Sequence, residues 1–142
     1  PVVDFGYRID CNGKSVFFTG DHEPPYNIYD PQDEGYAAYQ SLVDEKNRAI
    51  VEAIRGVDVL IADTSYTAEE YPAKKGWGHG TFATSIELAQ QAGVQVLFCT
   101  HHEPTRSDDA LESAFAKALS QHGAPQQGLD IRLAREGDTY EF

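Results

Sequence analysis

The sequence contains no methionine, only two cysteines and no long apolar segment. Because a chain as translated begins with methionine, we expect these 142 residues to be part of a longer protein. Cys11 and Cys99 are too few for a disulfide framework or an all-cysteine zinc site, and such sparing use of cysteine favours the reducing cytoplasm. No run approaches the roughly 20 apolar residues of a membrane helix, and no signal-peptide pattern opens the chain, so we expect no membrane partner.

Positive charge is also scarce: the chain has 11 Lys and Arg residues and 23 Asp and Glu residues, which gives a formal net charge of −12. Non-specific binding of nucleic acid depends on Lys and Arg side chains that neutralise phosphates. The charge balance therefore argues against nucleic acid as a partner and suits solubility or cation binding instead. Hydrophobic residues make up 41% of the chain, which is enough to build the core of one domain of ordinary size.

The hydrophobic pattern changes repeatedly between the strand period and the helix period. Asn12-Gly13 predicts a tight hairpin turn between strands at 5–10 and 15–19. The pattern then predicts, in chain order, a helix at 38–55, a strand at 57–63, one helical turn at 68–71, a helix capped by Thr81 and ending at 92, a strand at 94–100, a helix opened by Ser107, and one or two strands after 129. This order indicates an α/β fold with a mixed sheet and flanking helices.

Three successive strands of this α/β arrangement end in side chains that can bind metals. Asp21, Asp63 and His101 each stand where a strand leaves the core, and ligands of open α/β sheets gather at the carboxyl ends of strands. Carboxylate oxygens and imidazole nitrogens suit zinc and other divalent first-row metals. Taken singly, each Asp is as well explained as a turn former that satisfies backbone donors.

The remaining candidates lie on the loop before Thr81 and directly after the last metal-competent strand. His79 stands between two glycines, so it is either a turn residue or a group that faces a ligand. In the His101-His102 pair, one ring can pack or hydrogen-bond while the other faces solvent. Trp77 and Tyr66 can stack on a flat substrate group or simply pack the loop onto the body.

Four stretches together resemble one family. The segments GYRIDCNGKSVFFTGDHEP, GVDVLIADTSYTAEEY, GWGHGTFATSIELAQQAGVQVLFCTHHEP and LAREG are similar to the second half of a metallo-β-lactamase-fold hydrolase. The subgroup that they resemble contains phosphodiesterases and ribonuclease Z. The resemblance runs along essentially the whole chain, 1–142, and implies the C-terminal half of an αββα sandwich with two divalent metal ions, zinc or manganese, at one edge.

The resemblance also implies roles for individual residues. Asp21 matches the family's metal-bridging aspartate, and His101 matches its last histidine ligand, although the assignment between His101 and His102 stays open. His79 matches the histidine of the family's Gly-His-Ser motif, which contacts the scissile phosphate or assists the leaving group, and Gly80 replaces the serine. Asp63 matches the acidic residue that orients this histidine.

The family's first-half signature, His-x-His-x-Asp-His, is absent from the sequence. Two protein ligands cannot hold two metal ions in a hydrolytic site, so we expect this chain to be inactive by itself. We expect its partner to be the N-terminal half of the same domain or a second copy of the chain, since half a sandwich leaves a sheet face uncovered.

The complete protein is expected to hydrolyse a small phosphodiester, with His102, Trp77 and Tyr66 on the substrate side. Two alternatives remain. The same metal site can activate water for attack on an ester, thioester or lactam. The chain can instead be a non-catalytic interaction or assembly module, which predicts a stable, metal-free protein without a partner half.

Overall fold

A computed structural model describes residues 5–123 and 128–142. Five strands and four helices follow one another in these ranges. They are β1 (Tyr7–Cys11), β2 (Lys14–Phe18), α1 (Tyr36–Ile54), β3 (Val59–Asp63), α2 (Tyr71–Lys74), α3 (Phe82–Ala92), β4 (Val96–Thr100), α4 (Asp108–His122) and β5 (Asp130–Leu133). The predicted α/β class is confirmed, and the C-terminal segment forms one strand in the described residues.

The five strands form one mixed sheet in the order β1-β2-β3-β4-β5. β1 and β2 are an antiparallel hairpin, and its turn uses Asn12 and Gly13 at φ +51° and +78°, the positive values that the predicted tight turn requires. β2, β3, β4 and β5 run parallel to one another. The carboxyl ends of β2, β3 and β4 therefore meet at one edge of the sheet.

The three long helices cover one face of this sheet. Leu60 and Leu97 lie side by side on β3 and β4 and are fully buried under Ile54 of α1 and Ile86 of α3. α4 closes this layer through Ala118. Buried apolar surface of this kind is the main source of stability, at about 25 cal/mol for each Å² removed from water.

The opposite face of the sheet is open near its β1 edge. Tyr7, Ile9 and Phe18 share this face in the strand register, and they are 60%, 59% and 40% exposed. Towards the other edge, Tyr140 of the C-terminal segment packs on Phe98 with ring centroids 5.4 Å apart. A sheet face with large exposed apolar side chains is typical of a surface that another layer covers.

The ends of α3 follow the sequence prediction closely. Thr81 accepts a hydrogen bond from the Thr84 backbone N–H in a capping box, and Gly93 ends the helix at φ +67°. The helical turn predicted at 68–71 leads directly into α2, which runs from Tyr71 to Lys74, and the Tyr71 N–H donates to the Thr67 carbonyl at 3.1 Å across that turn. Thr67 and Glu70 exchange hydrogen bonds of 2.8 and 3.3 Å between side chain and backbone, which holds 67–70 in a turn before the helix starts.

Both cysteines are free thiols, with Cys11 exposed and Cys99 buried. Burial raises the pKa of the Cys99 thiol to about 12, so it behaves as a small apolar core residue. Within the described ranges, no helix has the length and apolar character needed to cross a membrane.

Candidate metal and catalytic site

The edge where β2, β3 and β4 end brings four metal-competent side chains together. Asp21, Asp63, His79 and His101 each offer one potential ligand atom, and these atoms all lie within 4.8 Å of one another. Asp63 is the last residue of β3, and His101 directly follows β4. Asp21 follows β2 by three residues, and His79 comes from the loop between α2 and α3. Residues far apart in the sequence thus converge because the three strands are parallel neighbours.

Asp63 is the buried centre of this cluster. Its side chain is fully shielded from solvent, and each carboxylate oxygen accepts two hydrogen bonds. One oxygen accepts from the Ser65 backbone N–H at 3.0 Å and the Ser65 hydroxyl at 2.8 Å. The other accepts from the His22 N–H at 3.1 Å and contacts Nδ1 of His79 at 2.7 Å. A buried carboxylate needs such a complete set of donors, and this one has no exposed lone pair for a further ligand.

His79 is held from its side chain and from its backbone. Because the Asp63 carboxylate can only accept, Nδ1 of His79 carries the proton and Nε2 is left for a ligand or substrate. The backbone after His79 pairs with Tyr66, whose N–H donates to the Gly80 carbonyl at 3.1 Å. A Cβ atom at Gly80 would lie 2.9 Å from the His22 carbonyl oxygen, so the glycine permits this close approach.

Asp21 and His101 form the exposed part of the cluster. Their side chains are 54% and 46% exposed, and His101 Nδ1 lies 3.3 Å from an Asp21 carboxylate oxygen. The His101 ring stacks on the His79 ring with centroids 4.7 Å apart. His101 has φ +57°, a left-handed conformation that is strained for a residue with a Cβ atom. The Ser65 hydroxyl oxygen lies 2.6 Å from the His101 carbonyl oxygen, so this hydroxyl shares its one proton between that carbonyl and Asp63.

The donor set fits a divalent metal ion. Asp21 and His101 combine a carboxylate oxygen and an imidazole nitrogen, the ligand types that zinc and manganese accept, and both atoms are accessible. Both carboxylate oxygens of Asp63 contact protein donors. This arrangement suits Asp63 to orient the His79 ring and leaves it poorly placed to bind a metal ion. The chain therefore brings two half-exposed side chains that could bind a metal ion, Asp21 and His101, to this edge beside Nε2 of His79.

His102 lies apart from this cluster. Its ring stacks near Phe82 with centroids 6.5 Å apart, and Nε2 lies 3.4 Å from the Ala134 carbonyl oxygen. Nδ1 of His102 is buried and has no hydrogen-bond partner among the described residues. Burial lowers the pKa of this imidazole, although the Ala134 carbonyl acts in the opposite direction. The structure thus places His101, and not His102, beside Asp21.

Tyr66 lies beside His79, and the Lys74 side chain connects Tyr66 to Trp77. The Tyr66 ring meets the His79 ring edge-on with centroids 6.0 Å apart, and it is buried. Trp77 is 62% exposed. The ammonium group of Lys74 lies 4.2 Å from the Trp77 ring centroid and 5.6 Å from that of Tyr66, within range of cation–π attraction to both.

Sequence analysis missed two residues of this region, Lys74 and Glu23. The Glu23 carboxylate accepts hydrogen bonds from the Tyr71 hydroxyl at 2.7 Å and the backbone N–H groups of Gly76 and Gly78 at 2.8 and 3.0 Å. The only sequence signal for it is its place two residues after Asp21 in an acidic loop. Its partners lie about 50 residues away, where no local pattern points to them.

Comparison with curated proteins finds relatives over part of their length. The chain is 32% identical over 100 residues to ribonuclease Z of Agathobacter rectalis, which covers 68% of this chain and 33% of the relative. It is 24% identical over 123 residues to ribonuclease Z of Brevibacillus brevis, covering 84% and 32%. Ribonuclease Z of Saccharolobus solfataricus is 31% identical over 102 residues, covering 72% and 27%. The chain thus spans about a third of the length of these relatives or less. No family model matches the chain.

A solved structure shares the fold. The metallo-β-lactamase fold protein YhfI from Bacillus subtilis superimposes with a TM-score of 0.61 at 19% identity, and the match covers 97% of this chain and 44% of YhfI. The predicted resemblance to ribonuclease Z-like proteins is confirmed by these relatives, and the predicted fold is confirmed by this neighbour.

Proposed function

We propose that this chain, which has the metallo-β-lactamase fold and resembles ribonuclease Z over part of its length, contributes half of the active site of a metal-dependent phosphodiester hydrolase. The observation that carries the proposal is the convergence of Asp21, Asp63, His79 and His101 at one sheet edge. Because the chain spans about a third of its relatives, the activity belongs to the complete protein.

Asp21 and His101 are the residues that would hold metal in this proposal. Two divalent ions, zinc or manganese, supply hydroxide at neutral pH when they occupy such a site. Two ligands are too few for two ions, so the remaining ligands come from the N-terminal half of the domain or from a second copy. The exposed side chains of Tyr7, Ile9 and Phe18 support such a partner, because they present an apolar sheet face for it to cover.

His79 is the proposed catalytic residue of this chain. Asp63 accepts the Nδ1 proton and turns Nε2 towards the phosphate, and in the doubly protonated ring Nε2 donates a hydrogen bond to the phosphate or a proton to the leaving oxygen. The buried carboxylate also stabilises positive charge on the ring while charge grows on the phosphate oxygens. Asp63 acts only through His79 and is therefore a positioning residue.

The exposed Trp77 and Lys74 form the proposed substrate side, and the buried Tyr66, expected from the sequence to share this role or to pack the loop, packs against His79. An exposed tryptophan with a lysine over its ring can contact a flat group and an adjacent negative charge. His102 is not one of the four clustered side chains, and its ring lies near Phe82 and the Ala134 carbonyl, so the proposal assigns it no direct contact with the substrate.

The relatives are ribonucleases by name, which weakens the expectation that nucleic acid is not a partner. The net charge of −12 on this chain disfavours binding of a long polyanion and so favours a small phosphodiester as the substrate of the complete protein. We therefore propose that the protein hydrolyses a phosphodiester bond and is located in the cytoplasm. The assay below compares a small phosphodiester with a longer RNA.

The test is a substrate profile of the complete protein with added Mn²⁺ or Zn²⁺. We expect turnover of a bis-aryl phosphate and of a dinucleotide, slower turnover of a longer RNA, and little turnover of a lactone, a thioester or a lactam. Preference for the acyl substrates would overturn the phosphodiester assignment. No turnover with any substrate, together with a metal-free protein, would favour a non-catalytic module.

His79→Ala is the decisive variant in this assay. It is expected to lower kcat by about two to four orders of magnitude, the range for a general acid or an electrostatic contact to the reacting phosphate. The metal content should stay unchanged, because Asp21 and His101 remain. Loss of metal in this variant would show that His79 is a ligand and would contradict its catalytic role.

A further inference from the structure

The loop that carries His79 has an unusual backbone that one carboxylate holds in place. Trp77 lies between Gly76 and Gly78, which adopt φ +89° and +92°. The N–H groups of these two glycines both point at Glu23, one at each carboxylate oxygen, at 2.8 and 3.0 Å. Glu23 thus supplies an acceptor for two loop N–H groups, one of which belongs to the residue just before His79.

The same short segment also fixes the other side of His79. The His22 N–H donates to the Asp63 oxygen that receives His79 Nδ1, and the His22 carbonyl oxygen lies so close to Gly80 that a Cβ there would be 2.9 Å away. Glu23 therefore binds the backbone immediately before His79, and His22 contacts the backbone immediately after it. Asp21, the proposed metal ligand, lies in the same segment.

We propose that Glu23 is a positioning residue, which sets the His79 imidazole relative to Asp21 by binding the glycine loop. Its three partners, Tyr71 and the two glycine amides, are all donors, so an ionised carboxylate is the side chain that satisfies them together. Among the described residues, no ion pair involves Glu23, so its charge is held by these hydrogen bonds. The relevance to catalysis rests on the proposed function, whereas the positioning itself does not.

Glu23→Gln is the variant that isolates this role. It keeps the shape of the side chain, but the amide NH₂ must face at least one of the loop donors, so one charge-assisted hydrogen bond is replaced by a repulsive contact. Glu69→Gln is the matched control, because it removes the same charge from an exposed carboxylate just before α2 whose ion-pair partner is Lys117. Both variants have the same net charge.

The experiment records hydrogen exchange and ¹⁵N-edited NMR spectra of the ¹⁵N-labelled chain in the three forms. Glu23→Gln is expected to raise the exchange rate of the Gly76 or Gly78 amide at least tenfold. The Nδ1 proton signal of His79 should shift or be lost to faster exchange, while the amides of Ile86 and Ala89 in α3 change less than twofold. Glu69→Gln should reproduce the wild-type spectra.

An unchanged His79 Nδ1 signal in Glu23→Gln would overturn the proposal, as would equal acceleration of exchange in α3, which indicates a general loss of stability. Because the readout is the imidazole itself, it does not depend on turnover. If the complete protein proves inactive on every substrate while the His79 signal responds as expected, the proposed function fails and the positioning role of Glu23 stands.

Discussion

Asp63→Asn tests the most buried polar group of the site. Asp63 contacts four donor groups, two at each oxygen, and one of them, the Ser65 hydroxyl, also faces the His101 carbonyl. An asparagine can offer its oxygen to only one pair of donors, and its NH₂ group then faces either the Ser65 or the His22 backbone N–H. Neither of these backbone donors can reverse its role, so both orientations leave a buried donor opposite another donor.

The cost of Asp63→Asn follows from this count. One backbone N–H loses its hydrogen bond to an ionised acceptor and stays buried opposite the amide, and the other hydrogen bonds then go to a neutral group, so the free energy of unfolding should fall by about 2–4 kcal/mol. That is a large part of the roughly 5–15 kcal/mol that stabilises a domain. The measurement is urea unfolding followed by far-UV circular dichroism.

Asp44→Asn is the control for this measurement, because Asp44 is an exposed helix residue that accepts one side-chain hydrogen bond, from Gln40. Its effect should stay within about 0.5 kcal/mol, as is usual for surface substitutions. A loss below about 1 kcal/mol for Asp63→Asn would refute the view that both carboxylate oxygens are saturated by fixed donors.

Three further predictions concern the surroundings of the site. His101→Gly removes a strained left-handed residue, so the free energy of unfolding should stay the same or rise by up to about 1 kcal/mol in denaturant titrations, while metal affinity falls. Gly80→Ser, which introduces the serine of the Gly-His-Ser motif that this loop resembles, should destabilise the chain by about 1–3 kcal/mol in the same titrations, because its Cβ would lie 2.9 Å from the His22 carbonyl oxygen. Asp58 has a lowered pKa, chiefly because the Ser15 N–H donates to it, so its contribution to stability is present above its unfolded pKa of about 3.9 and is lost as the pH falls through the lower folded value. Thermal unfolding between about pH 2 and 6 should therefore show a weaker acid dependence in Asp58→Asn than in the wild type.

The local parts of the fold could be predicted from sequence because their causes are local. Asn12-Gly13 sets the hairpin turn, and Thr81 and Gly93 set the ends of α3, each through a backbone preference or a cap within a few residues. The apolar runs of β3 and β4 are short and almost wholly hydrophobic, which is typical of covered parallel strands.

The convergence of the site could also be predicted, because parallel neighbouring strands bring their carboxyl ends together. The choice between His101 and His102 could not, since it depends on the left-handed backbone at His101 and on the packing of His102 against Phe82. The contacts of Glu23 were equally hidden, because they join segments about 50 residues apart through backbone N–H groups that carry no sequence signal.

The most direct test of the central claim is native mass spectrometry of the purified protein, which weighs polypeptides and bound metal ions together. We predict a second chain or segment that carries the His-x-His-x-Asp-His motif, and two divalent ions that are lost when Asp21 and His101 are both replaced by Ala and are retained in His79→Ala. A metal-free species at multiples of 15.7 kDa would contradict the claim that this chain supplies half of a hydrolytic metal site.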